Sequence, residues 1–164
     1  MKMTYDQLAS LAVDSIEAAF GISEEELAHV GESPVFDLGC DEGVSVEVYF
    51  DEPDFMRGYS DALSLSMFFC VTKEGAAIYA FIGSGCSNPE LADEFTDRFM
   101  ETTKFPGIWE VPNMCVPDDG LMLASDFSFT NEEELGEELV KRLSLFTNER
   151  FTNELRPFLH YFVD

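Results

Sequence analysis

Apolar residues recur at Leu8, Leu11, Ala12, Ile16, Ala19 and Phe20, a spacing that lays them along one stripe of a helix. Thr4 and Gln7 stand ahead of the stripe in a capping-box pattern, and Gly21 ends it. Ser23 and Glu26 form a second box, which predicts a short helical turn ending near Gly31.

The period then changes from helical to alternating. Val35 to Leu38 reads as a short strand, and Asp41-Glu42-Gly43 as a turn. Val44, Val46, Val48 and Phe50 alternate with Ser45, Glu47 and Tyr49, the pattern of a strand with one buried face. Glu52 to Asp61 is polar, contains Pro53 and Gly58, and reads as a loop. Leu63 to Thr72 and Ala76 to Gly83 flank Lys73-Glu74-Gly75 and predict an antiparallel hairpin.

Asn88 followed by Pro89 predicts the start of a middle helix, because proline at the first helical position loses no hydrogen bond. Leu91, Ala92, Phe95 and Phe99 form its apolar stripe, and Pro106-Gly107 ends it. Ile108 to Val116 and Leu121 to Phe129 surround Pro117-Asp118-Asp119-Gly120 and predict a second hairpin. Thr130 with Glu133 reads as a third capping box. It opens a long helical tract through Leu135, Leu139, Leu143 and Phe146, continued by Phe151, Leu155, Phe158 and Leu159, with a kink or stop at Pro157. The predicted order is α-βββ-α-ββ-α, an α+β fold with helices packed on an antiparallel sheet. No repeat, low-complexity tract or Ser/Gly linker divides residues 1–164, so a single domain is expected, with 147–164 separable as a C-terminal helical extension.

Composition supports a sizeable core, since 46% of the 164 residues are hydrophobic and 16 are Phe. Charge narrows the partners. Asp and Glu number 33 against 9 Lys and Arg, a formal net charge of −24. Such a chain repels the phosphate backbone of nucleic acids and anionic membrane surfaces, both of which bind through Lys and Arg. The N-terminal Met-Lys-Met-Thr-Tyr-Asp-Gln lacks the basic start, apolar run and cleavage site of a signal peptide. Leu65 to Val71 and Ala76 to Ile82 are too short to cross a bilayer as helices. Cys40, Cys70, Cys86 and Cys115 contain no C-x-x-C pair. Their even number permits two disulfides, but nothing else points to export, so the reading is four free thiols in a cytoplasmic protein.

No constellation for catalysis, cofactor or metal emerges. Calcium loops need acids at alternate positions with a central Gly and a closing Glu; Asp37, Asp41, Glu42 and Gly43 do not keep that spacing, and Asp118-Asp119-Gly120 is shorter still. Zinc needs grouped Cys and His, whereas His29 and His160 lie far apart and the cysteines are scattered. Gly83-Ser84-Gly85-Cys86 has neither a phosphate-binding lysine after it nor an identifiable base, and reads as a loop. Paired carboxylates for acid–base work remain open, but no pair stands out among so many acids. Trp109, the single tryptophan, is read as a core residue. Met67, Met100, Met114 and Met122 are spread out and form no groove by themselves.

The order of elements resembles the type III secretion chaperone-like fold, and within it the bacterial sensory transduction regulator family and the small acidic Tir-type secretion chaperones. The resemblance is carried by Pro117-Asp118-Asp119-Gly120-Leu121-Met122-Leu123-Ala124-Ser125-Asp126-Phe127, similar to the acidic turn and leucine-x-aspartate strand that precede the last helix in those families. Thr130-Asn131-Glu132-Glu133-Glu134-Leu135 is similar to the start of that helix, and Phe146 and Phe151 to its apolar face. The middle helix departs from the asparagine-rich wording of the regulators. The resemblance implies no active site, and it leaves a homodimer open.

The resulting expectation is a non-enzymatic protein-binding module, chaperone-like or a regulatory adaptor. Apolar patches on the sheet and the first helix would hold an extended segment of a client protein, and a basic client would be steered by the charge. Two other classes stay open. One is an acidic nucleic-acid mimic that inhibits a DNA-binding protein; the other is an enzyme built on carboxylates. A charge of −24 that reflects only adaptation to the organism's surroundings is the plainest alternative.

Overall fold

The computed structural model describes residues 3–27, 29–32, 43–51, 64–73, 75–83, 108–109, 121–149 and 153. Helix α1 spans Tyr5–Phe20 and is set by the residues that predict it. Thr4 Oγ1 accepts from the Gln7 N–H at 3.2 Å, and Gln7 Oε1 accepts from the Thr4 N–H at 2.9 Å. Two of the donors that a helix start leaves unpaired are thereby satisfied. Gly21 closes the helix in the left-handed conformation (φ 68°) and donates to the Glu17 carbonyl, a backbone state glycine adopts without a Cβ penalty.

Among the described residues five strands follow: β1 His29–Glu32, β2 Val44–Asp51, β3 Ser64–Val71, β4 Ala76–Gly83 and β5 Leu121–Phe127. They form one antiparallel sheet in the order β1-β2-β3-β4-β5. Helix α2, Glu132–Leu143, follows β5 and runs into a 3-10 turn at Ser144–Thr147. The class is therefore α+β, as expected, and the alternation seen in the sequence places the faces. In β2, Val46, Val48 and Phe50 are buried on the helix side, opposite Phe69, Met67 and Leu65 of β3. Those three in turn oppose Ile78, Ala80 and Ile82 of β4. Leu8, Ala12 and Ile16 of α1 and Leu135, Leu139 and Leu143 of α2 cover this inner face as one hydrophobic cluster. Phe20 closes one end of it edge-on to Phe50, with ring centroids 5.9 Å apart. Each fully buried Leu, Ile or Phe contributes about 1.5–3 kcal/mol relative to exposure, so the inner face dominates the stability.

Four local readings change. The Ser23/Glu26 box yields only a 3-10 turn, Glu24–Glu26, and Gly31 lies within β1 instead of ending a helix. Three consecutive glutamates repel one another and offer no apolar stripe, whereas His29–Glu32 gains a ladder on β2. The last helix is capped one residue later than Thr130: Asn131 Oδ1 accepts from the Glu134 N–H at 2.8 Å. Asparagine is the stronger N-cap of the two. The long C-terminal tract breaks at Leu143, well before Pro157. There Ser144 Oγ donates back to the Val140 carbonyl at 2.6 Å and the turn tightens. Ile108 and Trp109 stand in a turn and not in a strand. β5 pairs with β4, from Ala76↔Phe127 to Ile82↔Leu121; the rest of the predicted hairpin partner, 110–116, lies outside the described residues. So do the Val35 to Leu38 strand, the loop 52–61, the middle helix of Asn88 to Phe105 and, apart from the helical Asn153, the tract from Phe151 onward, with Leu155, Phe158, Leu159 and His160.

The β3–β4 turn depends on Gly75. Its φ is 159°, and a Cβ built there would sit 2.5 Å from the Phe127 carbonyl oxygen at the end of β5. Backbone cannot yield as a side-chain tip can. Gly75→Ala is therefore expected to cost about 1–3 kcal/mol, read as a lowered urea midpoint with an unchanged slope; an unchanged midpoint would contradict this close approach.

Glu134 adds an acid-sensitive contact. Its carboxylate accepts from the Thr130 N–H at 3.0 Å and from the Thr130 hydroxyl. The hydroxyl first and the N–H second hold its carboxyl below the ordinary value. A carboxyl lowered in the folded state contributes stability above its unfolded pKa and loses it as pH falls through the folded one. In Glu134→Gln the thermal midpoint is expected to fall less than in the parent between about pH 6 and about pH 3. Parallel midpoint curves for the two proteins would remove Glu134 from the acid response.

Candidate functional site

The sheet has a second face, and it is not the solvated polar surface that strict alternation would produce. Opposite the helices stand Ser45, Glu47 and Tyr49 of β2, Ser66, Phe68 and Cys70 of β3, Ala77, Tyr79 and Phe81 of β4, and Ala124 and Asp126 of β5. β3 is buried on both faces, for its even positions Phe68 and Cys70 are 6% and 4% exposed. This is the signature of the continuous apolar run Met67 to Val71, which cannot alternate because it has no polar residue to turn outward.

Phe68 sits at the middle of this outer face. Glu47 and Tyr79 are its direct cross-strand partners, while Tyr49 and Phe81 both oppose Ser66, two residues along β3. Cross-strand neighbours of this kind stand about 5 Å apart and their diagonals about 7–8 Å. Tyr49, Tyr79 and Phe81 are half-buried, so each presents part of its ring. The face is thus aromatic around Phe68, with Ser66 between Tyr49 and Phe81, and it carries Glu47 and the exposed Asp126. At the β1 end, the His29 imidazole lies over Gly31, where a Cβ would come within 2.6 Å of its Nε2. Half-buried rings and a carboxylate on one face offer apolar contact and attraction for positive charge.

The first helix does not extend this surface. Leu8, Ala12 and Ile16 belong to the core cluster, and Gly136 of α2 brings the two helices close, its built Cβ 3.4 Å from Leu11 Cδ1. Of the α1 stripe, Leu11, Ala19 and Phe20 are half-buried against that cluster.

A polar cluster of a different kind lies on the inner side. The Arg142 side chain is 12% exposed and donates through Nε to Glu138 Oε2 at 3.2 Å and through Nη1 to Ser125 Oγ at 2.6 Å. Its guanidinium carbon stands 4.4 Å from the centre of the Phe127 ring. The Arg142 carbonyl accepts from the indole N–H of Trp109 at 3.2 Å. Every strong group here has a partner within the protein, so the cluster ties α2 to β5 and to the turn at Trp109.

Among the described residues, no group of three or more His, Cys, Asp or Glu side chains is arranged to hold a metal ion. Cys70 is buried, 4% exposed; Cys40, Cys86 and Cys115 lie outside the described residues, as do Asp37, Asp41, Glu42, Asp118, Asp119, Gly120, Met100 and Met114. Met67 is core, and Trp109 is core as expected. Among the described residues no helix is long and apolar enough to cross a membrane. In the sequence Tyr49 and the pair Tyr79 and Phe81 fall in separate strands, and only the continuous apolar run of β3 between them signals a second apolar face. No protein-family model, curated protein or solved structure matches this chain.

Proposed function

We propose that this protein is a non-enzymatic protein-binding module of the chaperone-like or adaptor kind, acting in the cytoplasm and holding an extended, positively charged segment of a partner protein. The resemblance to secretion chaperones and sensory transduction regulators belongs to the same proposal. The observation that carries it is the outer face of the sheet, where Tyr49, Tyr79 and Phe81 remain half-buried around Phe68 with Glu47 among them. The charge of −24 adds long-range attraction for a basic partner and keeps the free protein dispersed.

The test is capture from native lysate with the tagged protein, followed by titration of the purified partner against a Tyr49→Ser/Phe81→Ser variant. Affinity is expected to fall by about tenfold or more, ~1.4 kcal/mol, and to weaken as salt rises. A Glu133→Gln control on the exposed start of α2 is expected to bind like the parent. Equal affinity of the folded double variant and the parent would overturn the role of the outer face. A turnover assay in which the purified protein converts a substrate would overturn the non-enzymatic reading.

A further inference from the structure

We draw no further inference here: the strongest candidate, the outer face of the sheet around Phe68, Cys70 and Tyr79, belongs to the site already described, and nothing in the structure shows what covers its buried centre.

Discussion

Trp109→Ala is expected to lower the unfolding free energy by about 3–5 kcal/mol, the range for emptying a large aromatic site in a packed core. The side chain is 1% exposed, and its ring meets Phe146 edge-on with centroids 5.0 Å apart and planes at 87°. Its indole N–H donates to the carbonyl of Arg142, at the end of α2, where helix carbonyls begin to lack partners. Alanine removes all three contributions together: buried area, ring contact and hydrogen bond. Because domains of this size are stable by only about 5–15 kcal/mol, such a loss leaves the protein near its unfolding threshold at room temperature. Trp109→Phe keeps the ring contact but not the N–H, and is expected to cost about 1–2 kcal/mol. Urea unfolding followed by circular dichroism measures both, since the variants lack the tryptophan whose fluorescence would otherwise report. A cost below about 1 kcal/mol for the alanine variant would mean that Trp109 does not fill the core as described.

The second large effect is expected at Arg142. Removing its side chain leaves Ser125, itself 2% exposed, without the guanidinium donor, and leaves Glu138 without its close cation. The loss of hydrogen bonds to a charged group and of the contact with the Phe127 ring sums to about 2–4 kcal/mol for Arg142→Ala. Glu138 is 27% exposed, so water moderates the penalty that a fully buried widowed charge would impose. Arg142→Lys is expected to recover less than half of the loss, because an ammonium cannot serve Glu138, Ser125 and an aromatic face from one planar fork. The neighbouring pair supplies the control. Lys141 reaches the same glutamate at 3.9 Å with its side chain 65% exposed, and Lys141→Ala is expected to change stability by no more than about 0.5 kcal/mol. Urea midpoints decide the comparison, and tryptophan fluorescence adds a local readout because Trp109 is bonded to the Arg142 carbonyl. Equal losses at Lys141 and Arg142 would show that charge, and not the forked geometry, matters.

How much of this was legible beforehand varies with the range of the interaction. The Thr4/Gln7 box, the α1 stripe, Gly21 and the alternation of β2 are local patterns whose physics is complete within a few residues, and all appear where the spacing puts them. The errors are local choices between competing solutions. Asn131 displaces Thr130 as cap, Ser144 ends a helix that apolar spacing would continue, and His29–Glu32 trades a helical turn for a ladder. In each case the losing option was sound by itself, and a partner distant in sequence or a side-chain bond to the backbone favoured the other.

The amino-acid sequence by itself determined the α+β class, the inward-facing residues of α1, β2 and α2, and the strong negative charge. These follow from period, capping chemistry and charge arithmetic. Only the tertiary structure decided that β5 lies beside β4, that Trp109 meets Arg142, that the guanidinium reaches Ser125 and Phe127, and that rings from β2, β3 and β4 gather on the outer face. Arg142 and Trp109 are 33 residues apart, and nothing in either residue's neighbourhood along the chain announces the other. Such contacts arise when long loops close and two apolar surfaces must fit at crystal-like density, a condition set by the whole core at once.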